Sequence, residues 1–165
     1  MIILDTTIRD GSYAVDFKFS CSDVADIISK LEKLGFKYIE IGHGLGLNAS
    51  SAKYGYSLHS DKEYMLVAQK ILKKARFGFF CIPGIARLED IRLAADNGVS
   101  FIRVGINANF GLIEFLYSYF LFLVVVAYNK ILLFLFVFSF PYKLDICLNL
   151  LFLYLNFDFL LKIQF

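Results

Sequence analysis

The first 110 residues alternate between short apolar runs and stretches in which apolar residues recur with helical spacing. Residues 2–8 form a β-rich run that predicts a strand buried on both faces, as in parallel sheets. Similar runs predict strands over 36–41, 77–82 and 101–106. Helical spacing predicts three helices: one with apolar residues from 24 to 34, one from about 61 to 75, and one with apolar residues from 88 to 95 that stops near 97–98. A long loop is predicted over 42–60.

Residues at the ends of these segments support the predicted boundaries. Ser20 or Ser22 can cap the first helix, and Gly35 follows its end, where a left-handed residue is common. Ser60 and Glu63 form a capping-box pattern before the next helix. Residues 34–42 also resemble residues 97–105, since each segment is a helix end, a glycine and a strand that closes on glycine. The regular order predicts an α/β fold of parallel strands, either a barrel or a doubly wound sheet.

Composition divides the chain into a domain over 1–110 and a tail over 111–165. The first part holds 14 of the 17 Lys and Arg residues and 12 of the 15 Asp and Glu residues, whereas the tail holds 16 of the 29 Phe and Tyr residues. The apolar content excludes intrinsic disorder. A net charge of +2 without a basic stripe disfavours nucleic-acid binding. Cys21, Cys81 and Cys147 show no paired spacing and are expected to be reduced thiols.

Three interpretations of this low-complexity hydrophobic tail stay open, and its predicted secondary structure is helical. Residues 115–133 are apolar enough to cross a membrane, and membrane contact could extend over 111–142. Alternatively, the tail is the buried remainder of the domain, although Gly and Pro are scarce in it. Its restricted alphabet also fits A/T-rich DNA read in the wrong frame or through an intron.

The loops that follow the strands are where parallel α/β folds place their chemistry. Arg9 and Asp10 lie at the end of the first predicted strand. The carboxylate suits Mg²⁺ or Mn²⁺, and the guanidinium suits a carboxylate or enolate oxygen. The alternative is a structural ion pair at the rim. Glu40, expected to point inward, needs a partner if buried and could hold Arg9.

The next loop begins Gly42-His43-Gly44-Leu45-Gly46, which lacks the spacing and the following helix of a dinucleotide-binding motif. His43 and His59, the two histidines of the chain, could act as a base and a substrate donor. The alternative is that both are ordinary polar residues of the loop.

Residues 4–11, Leu-Asp-Thr-Thr-Ile-Arg-Asp-Gly, resemble the opening strand of the metal-dependent TIM-barrel lyases and synthases with a D-x-T-x-R-D signature. This is the HMG-CoA-lyase-like, or pyruvate carboxyltransferase, group. Further positions are similar to its 4-hydroxy-2-oxovalerate aldolase branch: His43-Gly44, Gly46, Ser50-Ser51, Tyr54-Gly55, His59, Asp61 and Pro83-Gly84-Ile85. The resemblance covers residues 2–109 and implies the N-terminal half of a (β/α)₈ TIM barrel, with about four strands and three helices.

The resemblance implies a carbon–carbon lyase that cleaves a 4-hydroxy-2-keto acid to pyruvate and an aldehyde. Asp10 matches the family's ligand for a divalent metal, Mn²⁺ or Mg²⁺. Arg9 matches its arginine, which binds the substrate and stabilises the enolate. The family also implies a cytoplasmic location and an acylating aldehyde dehydrogenase partner. One alternative is a synthase that condenses acyl-CoA with a keto acid, or an HMG-CoA-lyase-type enzyme. The other is a non-catalytic, membrane-associated fragment.

Two departures from the family pattern bear on activity. The catalytic histidine of the aldolase branch, two residues after the glycine of R-D-G, is replaced by Tyr13. The family's two histidine ligands, in an H-x-H on a late strand, have no counterpart because the chain contains no H-x-H. We therefore expect a truncated, inactive domain with an incomplete metal site, and Tyr13 and His43 are the candidates for the missing base.

Overall fold

The computed structural model describes residues 3–107 and 132–138 of the 165-residue chain. A 3-10 turn over Ser12–Val15 separates the first two helices. The strands and α-helices of the described residues are, in chain order, β1 (Leu4–Asp5), α1 (Thr7–Gly11), α2 (Cys21–Lys33), β2 (Tyr38–Ile41), α3 (Asp61–Ile71), β3 (Arg76–Cys81), α4 (Leu88–Asp96), β4 (Phe101–Asn107) and β5 (Leu132–Phe138).

The strands form one sheet in the order β1-β2-β3-β4-β5, and each neighbouring pair is parallel. A doubly wound sheet reverses its strand order at a switch point, whereas the strands of a (β/α)₈ barrel follow one another in chain order. The described part of the chain therefore has the strand order of a barrel, as the family resemblance implies.

The strand register separates the side chains into two faces. Ile39, Phe79 and Ile102 belong to a buried core that also contains the apolar faces of the helices. The helix residues of this core include Val24 and Ile28 of α2, Met65 of α3 and Ile91 of α4. Glu40 pairs with Gly78, and Phe80 pairs with Arg103, so that charged and aromatic side chains lie on the opposite face, which we call the inner face.

Both predicted helix caps are confirmed. Ser20 precedes α2, where its hydroxyl accepts the N–H of Asp23 at 3.1 Å. Gly35 follows α2 with a left-handed φ of 91°. At the start of α3, the N–H of Glu63 donates to the hydroxyl of Ser60 at 3.3 Å, and the N–H of Ser60 donates to the Glu63 carboxylate at 2.8 Å.

Helix α3 ends at Ile71, four residues before the predicted end at residue 75. The reason is a long-range hydrogen-bonding cluster. One carboxylate oxygen of Glu32, on α2, accepts the backbone N–H groups of Lys73, Lys74 and Ala75 at 2.9, 2.7 and 2.7 Å. Those donors are therefore unavailable to continue the helix, and the chain turns directly into β3.

The prediction of a strand over 2–8 is wrong for most of its length. Strand β1 is only Leu4–Asp5, and the chain turns at Thr6 into helix α1. The Asp5 carboxylate causes the turn, because it accepts both the backbone N–H and the hydroxyl of Thr7 at 3.0 Å. Within the described sheet β1 is also an edge strand, which pairs with β2 alone.

The helical prediction for the tail is wrong over Leu132–Phe138, which is strand β5 and pairs with β4 from Phe101 to Asn107. The other tail residues, including nearly all of the candidate membrane segment at 115–133, lie outside the described residues. Among the helices of the described part, none has both the length and the apolarity to span a membrane.

The loop between β2 and α3 is fixed at Asn48, whose φ of 61° is left-handed. The N–H of Asn48 donates to the Asp61 carboxylate at 2.8 Å, and its side-chain amide donates to the carbonyl of Ile85 at 3.0 Å. These bonds hold the loop against α3 and the segment after β3. Burial raises the pKa of Asp61 to about 6, against the opposing effect of the Asn48 N–H.

We expect Ser60→Ala to lower the free energy of unfolding by about 1 kcal/mol, because the first turn of α3 loses the acceptor for a backbone N–H. Urea denaturation followed by circular dichroism measures the change. Ser60→Thr is the control, since it keeps the hydroxyl and should lie close to wild type. If Ser60→Ala and Ser60→Thr lowered the free energy of unfolding equally, the hydroxyl cap would contribute no stability.

We expect Asp61 to make the protein less stable as the pH rises from about 4 to about 6. Over this range the folded state keeps a proton on Asp61 that the unfolded state releases. For one such proton, the free energy of unfolding falls by at most about 1 kcal/mol per pH unit. Asp61→Asn should remove this component from denaturation curves recorded across the range, whereas Asp26→Asn, at an exposed position on α2, should leave it unchanged.

Candidate active site

The D-x-T-x-R-D segment folds as a tight turn that places Arg9 and Asp10 side by side. The hydroxyl of Thr6 donates to the Asp10 carboxylate at 2.6 Å, and the hydroxyl of Ser12 donates to the carbonyl of Arg9 at 2.7 Å. Nη2 of Arg9 lies 2.6 Å from Oδ1 of Asp10. The two predicted site residues therefore share one location at the end of β1, on helix α1 rather than on a strand.

Arg9 is held from several sides, and its side chain is only 12% exposed. Nη1 donates to the carbonyl of Gly44 at 2.9 Å, and the guanidinium carbon lies 4.7 Å from the centre of the Phe80 ring. Nε lies 2.6 Å from Oε2 of Glu40, but its N–H is not aligned for a hydrogen bond and finds no other acceptor among the described residues. Since each terminal nitrogen carries two N–H groups, the fork retains donors for an anionic ligand.

Glu40 has no exposed surface and lies between two guanidinium groups. Arg103, on β4, binds both of its oxygens: Nε donates to Oε1 at 2.8 Å and Nη2 to Oε2 at 2.5 Å. The Arg103 guanidinium also lies over Phe80, with its carbon 4.3 Å from the ring centre. The expectation that Glu40 contacts Arg9 is confirmed, and Arg103 is an additional partner that we did not predict.

Gly105 provides the space that Phe80 occupies beneath the two guanidinium groups. A Cβ atom at Gly105 would lie 2.2 Å from Cζ of the Phe80 ring, far inside van der Waals contact. A glycine at this position of β4 is therefore required by the aromatic ring on β3. The ring in turn offers its face to both cations, an arrangement that stabilises them electrostatically.

Asp10 is the candidate metal ligand, and 52% of its side chain is exposed. Its two oxygens contact Arg9 and Thr6. Within the described residues, no three His, Cys, Asp or Glu side chains are grouped as a metal site would require. A lone carboxylate such as Asp10 does not by itself fit a divalent cation.

Tyr13, at the position of the missing histidine base, lies over Gly44 at the margin of the site. A Cβ atom at Gly44 would lie 2.5 Å from Cζ of the Tyr13 ring, and the side chain is about half exposed. Partial burial raises the pKa of Tyr13, with Arg9 opposing the shift and Asp10 adding to it. At neutral pH the hydroxyl is therefore protonated and suited to donate a proton rather than to accept one.

His43 is buried next to Gly44, with its ring stacked on Phe17 at a centroid distance of 3.9 Å. Nδ1 accepts the N–H of Leu45 at 3.1 Å, which places the proton of the neutral ring on Nε2. Nε2 makes no hydrogen bond within the described residues. Burial lowers the pKa of His43. Its basic nitrogen is thus already engaged, so the geometry favours a hydrogen-bond donor over a base.

His59 is placed away from this group. Its Nδ1 lies 3.3 Å from the Glu63 carboxylate, and its ring meets Tyr64 edge to face. The structure therefore brings Arg9, Asp10 and Glu40 together in one site. Arg103 and Phe80 also belong to this site, and Tyr13 lies at its edge.

Sequence comparison places this site in a known family. A model of the family described as HMGL-like matches residues 1–114, which is more than half of the chain. The chain belongs to the HMGL-like family. The family resemblance noted in the D-x-T-x-R-D segment is therefore confirmed. Members of this family generally depend on a divalent metal.

Individual relatives carry two kinds of name. An oxaloacetate decarboxylase from Mycobacterium tuberculosis is 43% identical over 107 residues, which is 65% of this chain and 31% of the relative. A 4-hydroxy-2-oxovalerate aldolase from Moorella thermoacetica is 41% identical over 102 residues, 62% of this chain and 30% of the relative. A third, 4-hydroxy-2-oxovalerate aldolase 2 from Nocardia farcinica, is 38% identical over 105 residues, 64% of this chain and 30% of the relative. The chain thus spans less than a third of the length of these relatives.

Proposed function

We propose that residues 1–110 carry the part of a carbon–carbon lyase site that binds a 2-keto acid and stabilises its enolate. The observation that carries this proposal is the fixed position of Arg9. It is anchored by Gly44, Glu40 and Phe80, and its fork lies beside Asp10 at the end of β1. In the family, the position of Arg9 belongs to the arginine that contacts the enolate, and the reaction we propose is aldol cleavage of a 4-hydroxy-2-keto acid.

The chemistry assigned to Arg9 follows from where charge develops. When the bond between C3 and C4 of the substrate breaks, its electron pair moves toward the 2-oxo group and forms the enolate of pyruvate. A guanidinium directed at that oxygen stabilises the negative charge as it appears. Because Arg9 is already held in place, little reorganisation is needed at that moment. Its planar fork can bind the oxo oxygen and the carboxylate of the substrate together.

A second candidate, decarboxylation of a 2-oxo dicarboxylic acid, is favoured by Tyr13. Aldol cleavage requires a base that removes the proton of the 4-hydroxyl group, whereas decarboxylation releases CO₂ and requires only that the enolate be protonated at C3. A phenol with a raised pKa is protonated at neutral pH and can supply that proton. The name of the Mycobacterium tuberculosis relative agrees with this alternative.

We propose further that the chain as it stands does not turn over substrate. Asp10 is the single metal-ligand candidate in the described site, and the sequence lacks the H-x-H that supplies two ligands in the family. Without a cation, Asp10 would also compete with the carboxylate of the substrate for Arg9, with which it forms an ion pair. The cytoplasmic location and the aldehyde dehydrogenase partner stay predictions from the family resemblance.

We expect oxalate, a planar dianion that resembles the pyruvate enolate, to bind the purified chain through Arg9. Arg9→Lys keeps the charge but loses the fork, and should weaken binding about 10-fold or more. Isothermal titration calorimetry measures both affinities. Arg87→Lys, at an exposed arginine paired with Glu89, is the control and should bind as wild type does. Equal affinities for wild type and Arg9→Lys would overturn the proposed binding role.

We expect no tight binding of Mn²⁺ and no release of pyruvate by the full chain. Electron paramagnetic resonance of free Mn²⁺ should show no site with a Kd in the micromolar range, since one carboxylate is a weak ligand set. Assays with 4-hydroxy-2-oxovalerate and with oxaloacetate should match protein-free controls. A turnover that Asp10→Asn abolishes would contradict this expectation, and the substrate consumed would then distinguish aldol cleavage from decarboxylation.

A further inference from the structure

Among the described residues, the inner face of the sheet carries two guanidinium groups, that of Arg103 buried and that of Arg9 12% exposed, and one buried carboxylate. Arg9 follows β1, Glu40 lies on β2 and Arg103 lies on β4, while Phe80 on β3 lies beneath both guanidinium groups. Glu40 cannot neutralise both arginines fully. The way its two oxygens are shared therefore contributes to how much positive charge each arginine retains.

Of the two arginines, Arg103 makes more hydrogen bonds with the Glu40 carboxylate. It donates to both Glu40 oxygens, whereas Arg9 meets only Oε2 and does so without an aligned hydrogen bond. A bidentate pair of this kind fixes the plane of the carboxylate. Glu40 is thereby prevented from turning toward Arg9 and closing an equivalent fork with it.

From this geometry we infer that Arg103 is a positioning residue that keeps Arg9 available to an anionic ligand by engaging Glu40. Without Arg103, Glu40 would turn from its present single contact to a two-bond fork with Arg9, which would draw the Arg9 guanidinium inward and weaken its attraction for an anion. This inference rests on the proposed function of Arg9. It adds a residue on β4 that contacts no ligand and acts through Glu40.

Phe80 stabilises the two guanidinium groups, whose positive charges repel each other. Both lie within 4.7 Å of the ring centre, where the negative face of the ring attracts them. The ring therefore supports a group in which Arg9, Arg103 and Glu40 together carry one net positive charge. The half-exposed Asp10 balances that charge at the surface of the site.

The test compares oxalate affinity in three variants of the full chain. Arg103→Met should weaken binding about 10-fold, and Arg103→Lys should have an intermediate effect, because an ammonium group cannot hold both Glu40 oxygens in a fork. The decisive variant is the double substitution Glu40→Gln/Arg103→Met. Removal of the carboxylate restores the charge of Arg9, so its affinity should return to within about 3-fold of wild type.

The double variant separates this role from a purely structural one. If Arg103 merely stabilises the fold, removing Glu40 as well will not restore binding, and the double variant will bind no better than Arg103→Met. That result would overturn the inference. Thermal unfolding of each variant is recorded in parallel, and Arg103→Lys serves in the comparison where Arg103→Met does not fold.

A measurement without ligand keeps the inference separate from the proposed function. In arginine-labelled protein, the Nε–H resonance of Arg9 should move downfield in Arg103→Lys, because the N–H gains an aligned bond to Glu40. Loss of oxalate binding in wild type together with this shift would reject the proposed function while retaining the role of Arg103. Unchanged Arg9 resonances would reject that role even if oxalate binds.

Discussion

Glu40 is a carboxylate without exposed surface, and its burial is tolerable only because charged partners surround it. Removing one partner from such a pair leaves an unpaired buried charge, which typically costs about 3–5 kcal/mol. The inner face is organised around this requirement. Arg103 provides two hydrogen bonds, Arg9 provides a close charge, and Phe80 supports both guanidinium groups. Even Gly105 belongs to this arrangement, since a larger residue there would displace the ring.

Much of the fold could be predicted because its determinants are local. The caps at Ser20 and Ser60 and the glycine at Gly35 act within a few residues, and the apolar periodicity reports burial directly. Two boundaries could not be predicted, because side chains there bond to the backbone in ways that periodicity does not record. Asp5 turns the chain out of β1, and Glu32, some forty residues away in sequence, receives the N–H groups that would have extended α3. Strand order likewise depends on long-range packing.

The site was predictable where a short motif specifies it and not where distant strands meet. Arg9 and Asp10 lie together because Thr6 and Ser12 hold their turn, all within one segment. Arg103 was missed, although a signal was present. In the repeated segments 34–42 and 97–105, the acid of one strand and the arginine of the other occupy equivalent positions. Opposite charges at matching places in two buried strands are a reason to expect a pair.

The two halves of the proposed chemistry differ in how completely the described residues supply them. Anion binding needs a fixed guanidinium, and contacts from β2, β3 and the loop after β2 already fix Arg9. A cation site needs several converging donors, of which Asp10 is one. The same residue thus has two opposite consequences. As a ligand of a bound cation, Asp10 would favour binding of a keto acid. Without a cation, its negative charge would compete with that substrate for Arg9. For this reason, binding of a small planar dianion is a more sensitive measure of the Arg9 arrangement than turnover is.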